Sequence, residues 1–144
     1  MATIDEITRE ISRLIPKIAT QAHPGSFANI RITPAQILML MSIHAHGKCH
    51  LKTLARERKV SPPTITGLVD RLLKDGYVRK DPDPEDRRAA MVSLTKKGEG
   101  VVTRHLASIQ NLWKSILTHL SQKEREQYLG ILRKIVNILS KKEG

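Results

Sequence analysis

Two short stretches of this chain carry usable chemistry: Ser61-Pro62-Pro63-Thr64-Ile65-Thr66-Gly67 and, further on, Asp86-Arg87-Arg88. In the first, Thr64 and Thr66 each bring a hydroxyl and a methyl, the groups that meet base edges and the thymine methyl in a DNA major groove. Gly67 lets a backbone come close. If the stretch opens a helix, its free N–H groups and partial positive charge would hold a phosphate. Arg71 and Lys74 follow, suited to phosphate contact, with Asp70 and Asp75 as competing ion-pair partners for Arg71. In the second stretch, Arg87 and Arg88 sit at or just past the tip of a Pro/Asp-rich hairpin, where arginine can enter a narrow minor groove. Phosphate would repel Asp86, so its expected task is to orient a neighbouring arginine by a charge-assisted hydrogen bond. The candidate DNA-contacting set is therefore Ser61, Pro62, Pro63, Thr64, Thr66, Arg71, Lys74, Asp86, Arg87 and Arg88.

Such residues work only if the fold presents them, and the surrounding pattern predicts a mainly α fold with a small β component. Ile4, Ile7, Ile11, Leu14 and Ile18 step by three and four, marking one face of a first helix that His23-Pro24-Gly25-Ser26 breaks. Thr33-Pro34-Ala35-Gln36 is a capping box opening a second helix, with Ile37, Leu38, Leu40 and Met41 as its buried side and Gly47 as its end. A third helix is expected over 51–59 with Leu51, Leu54 and Ala55 inward. Ser61 caps a fourth, with Pro62 in its first turn, Ile65, Leu68, Val69 and Leu72 on its core face, and Gly76 as its stop. Residues 77–80 and 90–94 read as strands around the charged turn. Thr95 caps a fifth helix with Val102, Leu106, Ile109, Trp113, Ile116 and Leu120 in its seam. Ser121-Gln122-Lys123-Glu124 opens a sixth, striped by Tyr128, Ile131, Leu132, Ile135, Ile138 and Leu139. A helix sized for the major groove followed by an arginine-tipped hairpin is the order of a winged helix-turn-helix. Residues 32–98 can close their own core, so the seams of the first, fifth and sixth helices are expected to pack against each other and a second copy of the chain.

Composition narrows the class of partner. With 25 Lys+Arg against 14 Asp+Glu the formal charge is +11, which favours a polyanion, double-stranded DNA above all. One cysteine, Cys49, excludes an internal disulfide and fits a cytoplasmic setting. The N-terminus lacks the apolar core of a signal peptide, and no stretch reads as a membrane span. His44, His46, Cys49 and His50 are four soft-metal donors in a short segment. However, His44 and His46 would lie about 200° apart on a helix, which opposes joint chelation, so no metal is assigned. Cys49 is read as an inert thiol, Trp113 and Tyr128 as packing residues, and His105 and His119 as solvated side chains. The serine-elbow, HExxH, P-loop and dinucleotide-glycine motifs of enzymes are absent, and neither catalysis nor a cofactor is expected.

The ordered set Thr64-Ile65-Thr66-Gly67, Leu72, Gly76-Tyr77-Val78, Asp86-Arg87-Arg88, Thr95 and Gly98 resembles the signature of the MarR family of transcription regulators, and the resemblance covers nearly the whole chain. Leu73 departs from it, standing where that family often has glutamate. The resemblance implies a single MarR-type domain over 1–144, a winged DNA-binding lobe over 32–98, and dimerisation helices in 1–31 and 99–144. It further implies a homodimer on a pseudo-palindromic operator, with recognition helices roughly 34 Å apart. A small anionic or phenolic effector would release the DNA from a crevice whose lining residues the chain does not identify. Alternatives kept open are a metal- or redox-responsive regulator, a non-specific architectural DNA binder and a module for protein contact.

Overall fold

The computed structural model describes residues 1–22 and 31–142, so the expected break at 23–26 lies outside the described residues. The elements run α1 (Ile4–Ala22), α2 (Pro34–His46), β1 (Cys49–His50), α3 (Leu51–Arg58), α4 (Pro62–Lys74), β2 (Val78–Pro82), β3 (Ala90–Leu94), α5 (Lys96–Leu117) and α6 (Gln122–Lys142). Two compact units divide within α5, one over Met1–Ala107 and the other over Ser108–Gly144. Among the described residues no helix is long and apolar enough to cross a membrane.

Local chemistry sets most of the boundaries. Thr33 accepts the Gln36 N–H while the Gln36 side chain accepts the Thr33 N–H, completing the expected capping box, and Gly47 closes α2 at φ +74°. A second box, between Thr3 and Glu6, starts α1, and a third, between Ser121 and Glu124, starts α6. α3 ends at Lys59, whose left-handed φ of 52° turns the chain sharply toward α4.

The sheet is antiparallel in the order β1-β3-β2, with Val78 opposite Leu94, Lys80 opposite Val92 and Cys49 also opposite Val92. β1 is an addition to the expected elements. Its two residues are too few to show an alternating pattern.

The core of the first unit gathers Met39, Leu40, Ile43, Leu54, Ile65, Val69, Leu72, Val92 and Val102, all nearly or wholly inaccessible. This corrects the expected face of α2. Leu38 is 48 % exposed and Met41 is only partly buried, whereas Met39 and Ile43 are in the core. His105 is also corrected. It is buried rather than solvated, because it shares one face of α5 with Val101 and Val102. His119 lies beyond the end of α5 and is exposed.

The seam where α4 leads through β2 and β3 into α5 is closely built. The Thr95 hydroxyl donates to the Gly76 carbonyl at 2.6 Å and accepts the Gly98 N–H at 3.2 Å, while the Thr95 N–H donates to the Tyr77 carbonyl. A Cβ on Gly98 would come 2.1 Å from that carbonyl oxygen, so only glycine lets α5 approach. By contrast the expected apolar seams of α1 and α6 stay uncovered, while that of α5 begins in the core at Val102 and Leu106. In α1, Ile7, Ile11, Leu14 and Ile18 are all exposed, and α6 contains no buried residue.

Candidate nucleic-acid interface

α4 is held from one side only. Ile65, Val69 and Leu72 step by four and three into the core, which leaves Ser61, Pro62, Pro63, Thr64, Thr66 and Gly67 in solvent. The start of the helix differs in one respect from the sequence expectation: residues 62–65 offer no free backbone N–H. Pro62 and Pro63 have none to offer. The Thr64 N–H goes to the Ser61 hydroxyl oxygen at 3.4 Å, and the Ile65 N–H to the Ser61 carbonyl. A phosphate at this end would therefore meet the helix dipole without backbone donors. The side chains are likewise committed in part. Ser61 and Thr64 hydroxyls share a hydrogen bond at 2.8 Å, and the Thr66 hydroxyl donates to the Pro62 carbonyl at 3.0 Å. Thr66 is left presenting a methyl group and an oxygen that can only accept, a surface that complements a thymine methyl or a base amino group. Nothing lies within 4 Å of a Cβ placed on Gly67, so a DNA backbone or base could approach it closely.

Arg71 and Lys74 are exposed at the far end of α4. Neither forms an ion pair among the described residues, so the anticipated competition from Asp70 and Asp75 does not occur.

In the wing, between β2 and β3, the aspartates fold the turn, as the sequence led one to expect. Asp83 accepts the Glu85 N–H at 3.0 Å, Asp86 accepts the Arg88 N–H at 3.0 Å, and backbone bonds from Ala89 to Asp86 and from Asp83 to Ala89 close the loop. Asp86 therefore positions Arg88 through the backbone, not through a carboxylate–guanidinium pair. Both guanidinium groups, of Arg87 and Arg88, are exposed and have no acidic partner among the described residues. The wing is also tied at its base: His50 Nε2 lies 3.3 Å from Asp83 Oδ2, and Lys48 Nζ 3.6 Å from Asp81 Oδ2.

Those contacts disperse the cluster of soft-metal donors. His44 faces Glu99 at 3.1 Å, His46 faces Glu57 at 2.6 Å, and His50 faces Asp83, each histidine turning to a different element. Among the described residues no three such side chains are arranged to hold a metal ion. Cys49 is buried, and burial, aided by the Glu57 charge, pushes its thiol above the ordinary value, opposite to what a reactive thiolate needs.

Sequence reasoning passed over one group of residues. Lys52 and Arg56 are exposed four residues apart on α3, on the side away from the buried Leu54, with the exposed Lys59 at the helix's C-cap, and all three are free of ion pairs among the described residues. The spacing was visible in the sequence. In a helix-turn-helix the first helix of the pair crosses the DNA backbone, which is where such a stripe is useful.

The MarR family model matches residues 32–90, from two residues before α2 to the first residue of β3. The HTH-type transcriptional regulator YhbI of Bacillus subtilis is 32% identical over 110 residues, 76% of this chain and 69% of YhbI. The chain belongs to the MarR family. Among its other relatives, the HTH-type transcriptional repressor NicR of Pseudomonas putida is 28% identical over 136 residues, 92% of this chain and 85% of NicR. A cysteine-to-serine variant of MarR from E. coli, solved in complex with operator DNA, has the same fold. It has a TM-score of 0.68 at 21% identity, over 93% of this chain and 99% of that one. The winged helix of this MarR-family chain is thus a transcription regulator's fold, and its relatives include repressors.

Proposed function

We propose that the chain is a dimeric, sequence-specific repressor in the cytoplasm that binds a pseudo-palindromic operator and leaves it when a small ligand binds. In this reading residues 32–98 are the DNA-binding lobe, while 1–31 and 99–144 supply the dimerisation helices. Ser61, Pro62, Pro63, Thr64 and Thr66 meet base edges, Arg71 and Lys74 meet phosphates, and Arg87 and Arg88 enter the minor groove with Asp86 shaping the turn beneath them. The protein acts by binding, not by catalysis.

The observation that carries this reading is the one-sided burial of α4. Its Ile65, Val69 and Leu72 face is locked in the core and its Ser61, Thr64 and Thr66 side is bare, in the same compact unit as two arginines whose side chains have no acidic partner among the described residues. Dimerisation is supported by the bare apolar residues of α1 and α6, since burying the exposed half of each isoleucine or leucine would contribute about 1 kcal/mol. The operator complex of the E. coli relative supports DNA as the partner.

The test is fluorescence anisotropy on a duplex selected by the protein itself, beside a scrambled duplex at the same salt concentration. Specific recognition requires the selected duplex to bind about 1,000-fold tighter or better. Equal affinity would favour an architectural DNA binder, the second reading that the net charge of +11 allows.

A further inference from the structure

His50 opens α3 as its N-cap residue, yet its side chain makes no capping hydrogen bond. It is turned to the wing instead, where its Nε2 lies 3.3 Å from Asp83 Oδ2. The last ladder pair of the hairpin is Pro82 with Ala90, so residues 83–89 extend past the sheet. The hydrogen bonds of that loop are its own. Asp83 accepts the Glu85 N–H, Asp86 accepts the Arg88 N–H, and backbone bonds join Asp83 to Ala89 and Ala89 to Asp86. Among the described residues, the one polar tie from the loop to the rest of the chain is the His50–Asp83 pair. The loop thus keeps its own shape, while its direction is set from outside.

The charged groups around His50 are few. β2 carries Arg79, Lys80 and Asp81, the last paired with Lys48 Nζ at 3.6 Å. The loop brings Asp83 and Glu85, and α3 brings Lys52 two residues on. β3, which lies between β1 and β2, carries no charge, and His46 at the end of α2 faces Glu57. Asp83 is the carboxylate within ion-pair distance of His50, and its side chain is only 17 % exposed, so solvent ions screen the pair less than an open surface pair.

We infer that His50 is a positioning residue for the wing: its imidazolium holds Asp83, and with it the direction in which Arg87 and Arg88 leave the sheet, to the first turn of α3. Helix pair and hairpin are thereby joined through one side chain of the type that changes charge between pH 5 and 8. Protonated, the imidazole attracts the carboxylate. Neutral, it leaves the loop free to swing about the Pro82–Ala90 pair. The Lys48–Asp81 pair holds β2 and not the loop. The hold on the wing rests on this geometry, and only its effect on DNA binding rests on the regulator reading.

Nitrogen-15 relaxation of the full chain without DNA measures the order parameters of the Glu85, Arg88 and Ala89 N–H groups at pH 5.5 and 7.5. In the wild type they should fall from about 0.85 toward about 0.6. His50→Gln should give the lower values at both pH values, and His50→Lys the higher. Leu54 and Val92 in the core should not change. On the selected duplex the wild type should bind about threefold tighter than His50→Gln at pH 5.5 and equally at pH 7.5. Taking this ratio cancels the titration of the other histidines. The inference is overturned by wild-type wing order that ignores pH, by a His50→Gln wing as ordered as wild type at pH 5.5, or by an affinity ratio that stays constant. If no duplex is bound while the order parameters behave as expected, the regulator reading fails and the hold of His50 on the wing stands.

Discussion

The Asp86 carboxylate receives the backbone N–H of Arg88 at 3.0 Å, so the acidic residue of the wing acts on the path of the chain and leaves the guanidinium free for an outside partner. An acid beside two arginines would ordinarily be expected to neutralise one of them. Here it shapes the turn that carries them.

The wing prediction separates those roles. Arg87→Ala and Arg88→Ala should each weaken operator binding about tenfold and reduce its salt dependence, with the fold unchanged by circular dichroism. Asp86→Asn keeps an oxygen acceptor for the Arg88 N–H and should retain most of the affinity. Asp86→Ala should lose it to a degree approaching the arginine variants. An Asp86→Ala protein that binds as wild type would remove the positioning role.

Thr66 allows a finer test on α4. Its hydroxyl hydrogen is committed to the Pro62 carbonyl, so the methyl is its most distinctive outward feature. Thr66→Val keeps that methyl and should preserve discrimination at the base it faces, whereas Thr66→Ser, which keeps the hydroxyl, should relax it by about 1 kcal/mol or more. The reverse order in a binding-site selection would show that the hydroxyl does the reading. Ser61→Ala is a different matter. It removes the N-cap and should cost about 1 kcal/mol of stability as well.

How much of this was legible beforehand follows from how local each signal is. The caps at Thr33, Ser61 and Ser121 were readable because a capping residue and its partner lie within one turn. The Thr3–Glu6 box was equally local and was passed over beside the louder isoleucine seam. The buried face of α2 was misassigned because Ile37-Leu38-Met39-Leu40-Met41 is apolar without interruption, and an unbroken run has no periodicity to read. Tertiary contacts then chose Met39 over Leu38. The exposed side of α4 was readable from the spacing of Ile65, Val69 and Leu72, but the hydrogen bonds of Ser61, Thr64 and Thr66 were not. Two prolines in succession already implied missing donors at the start of α4. The pairing of His44, His46 and His50 with three separate carboxylates was out of reach, because those partners come from distant parts of the chain.

Gly98 is the position where stability should be least negotiable. A Cβ at 2.1 Å from the Tyr77 oxygen forces α5 away from the end of α4 and breaks the Thr95 bridge between them. Gly98→Ala should therefore destabilise the protein by about 1–3 kcal/mol despite alanine's better helix propensity. Gly100→Ala, two residues on, should be neutral or stabilising. Equal melting temperatures for the two variants would contradict the packing described here.

Cys49 gives a pH dependence with a definite sign. Burial raises its thiol above the ordinary 9.0, so the unfolded chain releases the proton first as the pH climbs. From the unfolded thiol's pKa upward, the folded state loses stability relative to a Cys49→Ala variant, while at neutral pH the gap between the two is constant. Urea midpoints of both proteins between pH 7 and 10 measure this difference and cancel the titration of lysines and tyrosines common to both. If the wild type gained on the variant instead, the thiolate would be favoured in the fold and Cys49 would be a reactive cysteine after all.

The dimer reading turns on the uncovered isoleucines. Ile11 lies mid-seam in α1 at 51 % exposure and Ile135 mid-seam in α6 at 45 %, so neither supports the core of its own unit. Ile11→Asp and Ile135→Asp should leave the thermal unfolding of the winged unit almost untouched and shift sedimentation from dimer to monomer. In the dimer each aspartate would be buried without a partner, at a cost of several kcal/mol. Operator affinity should fall in parallel, because a monomer holds one half-site where the dimer holds two. The half-site alone should bind variant and wild type equally, which keeps this loss distinct from damage to the DNA-reading surface. A variant that stays dimeric by sedimentation equilibrium would place the interface elsewhere on the chain.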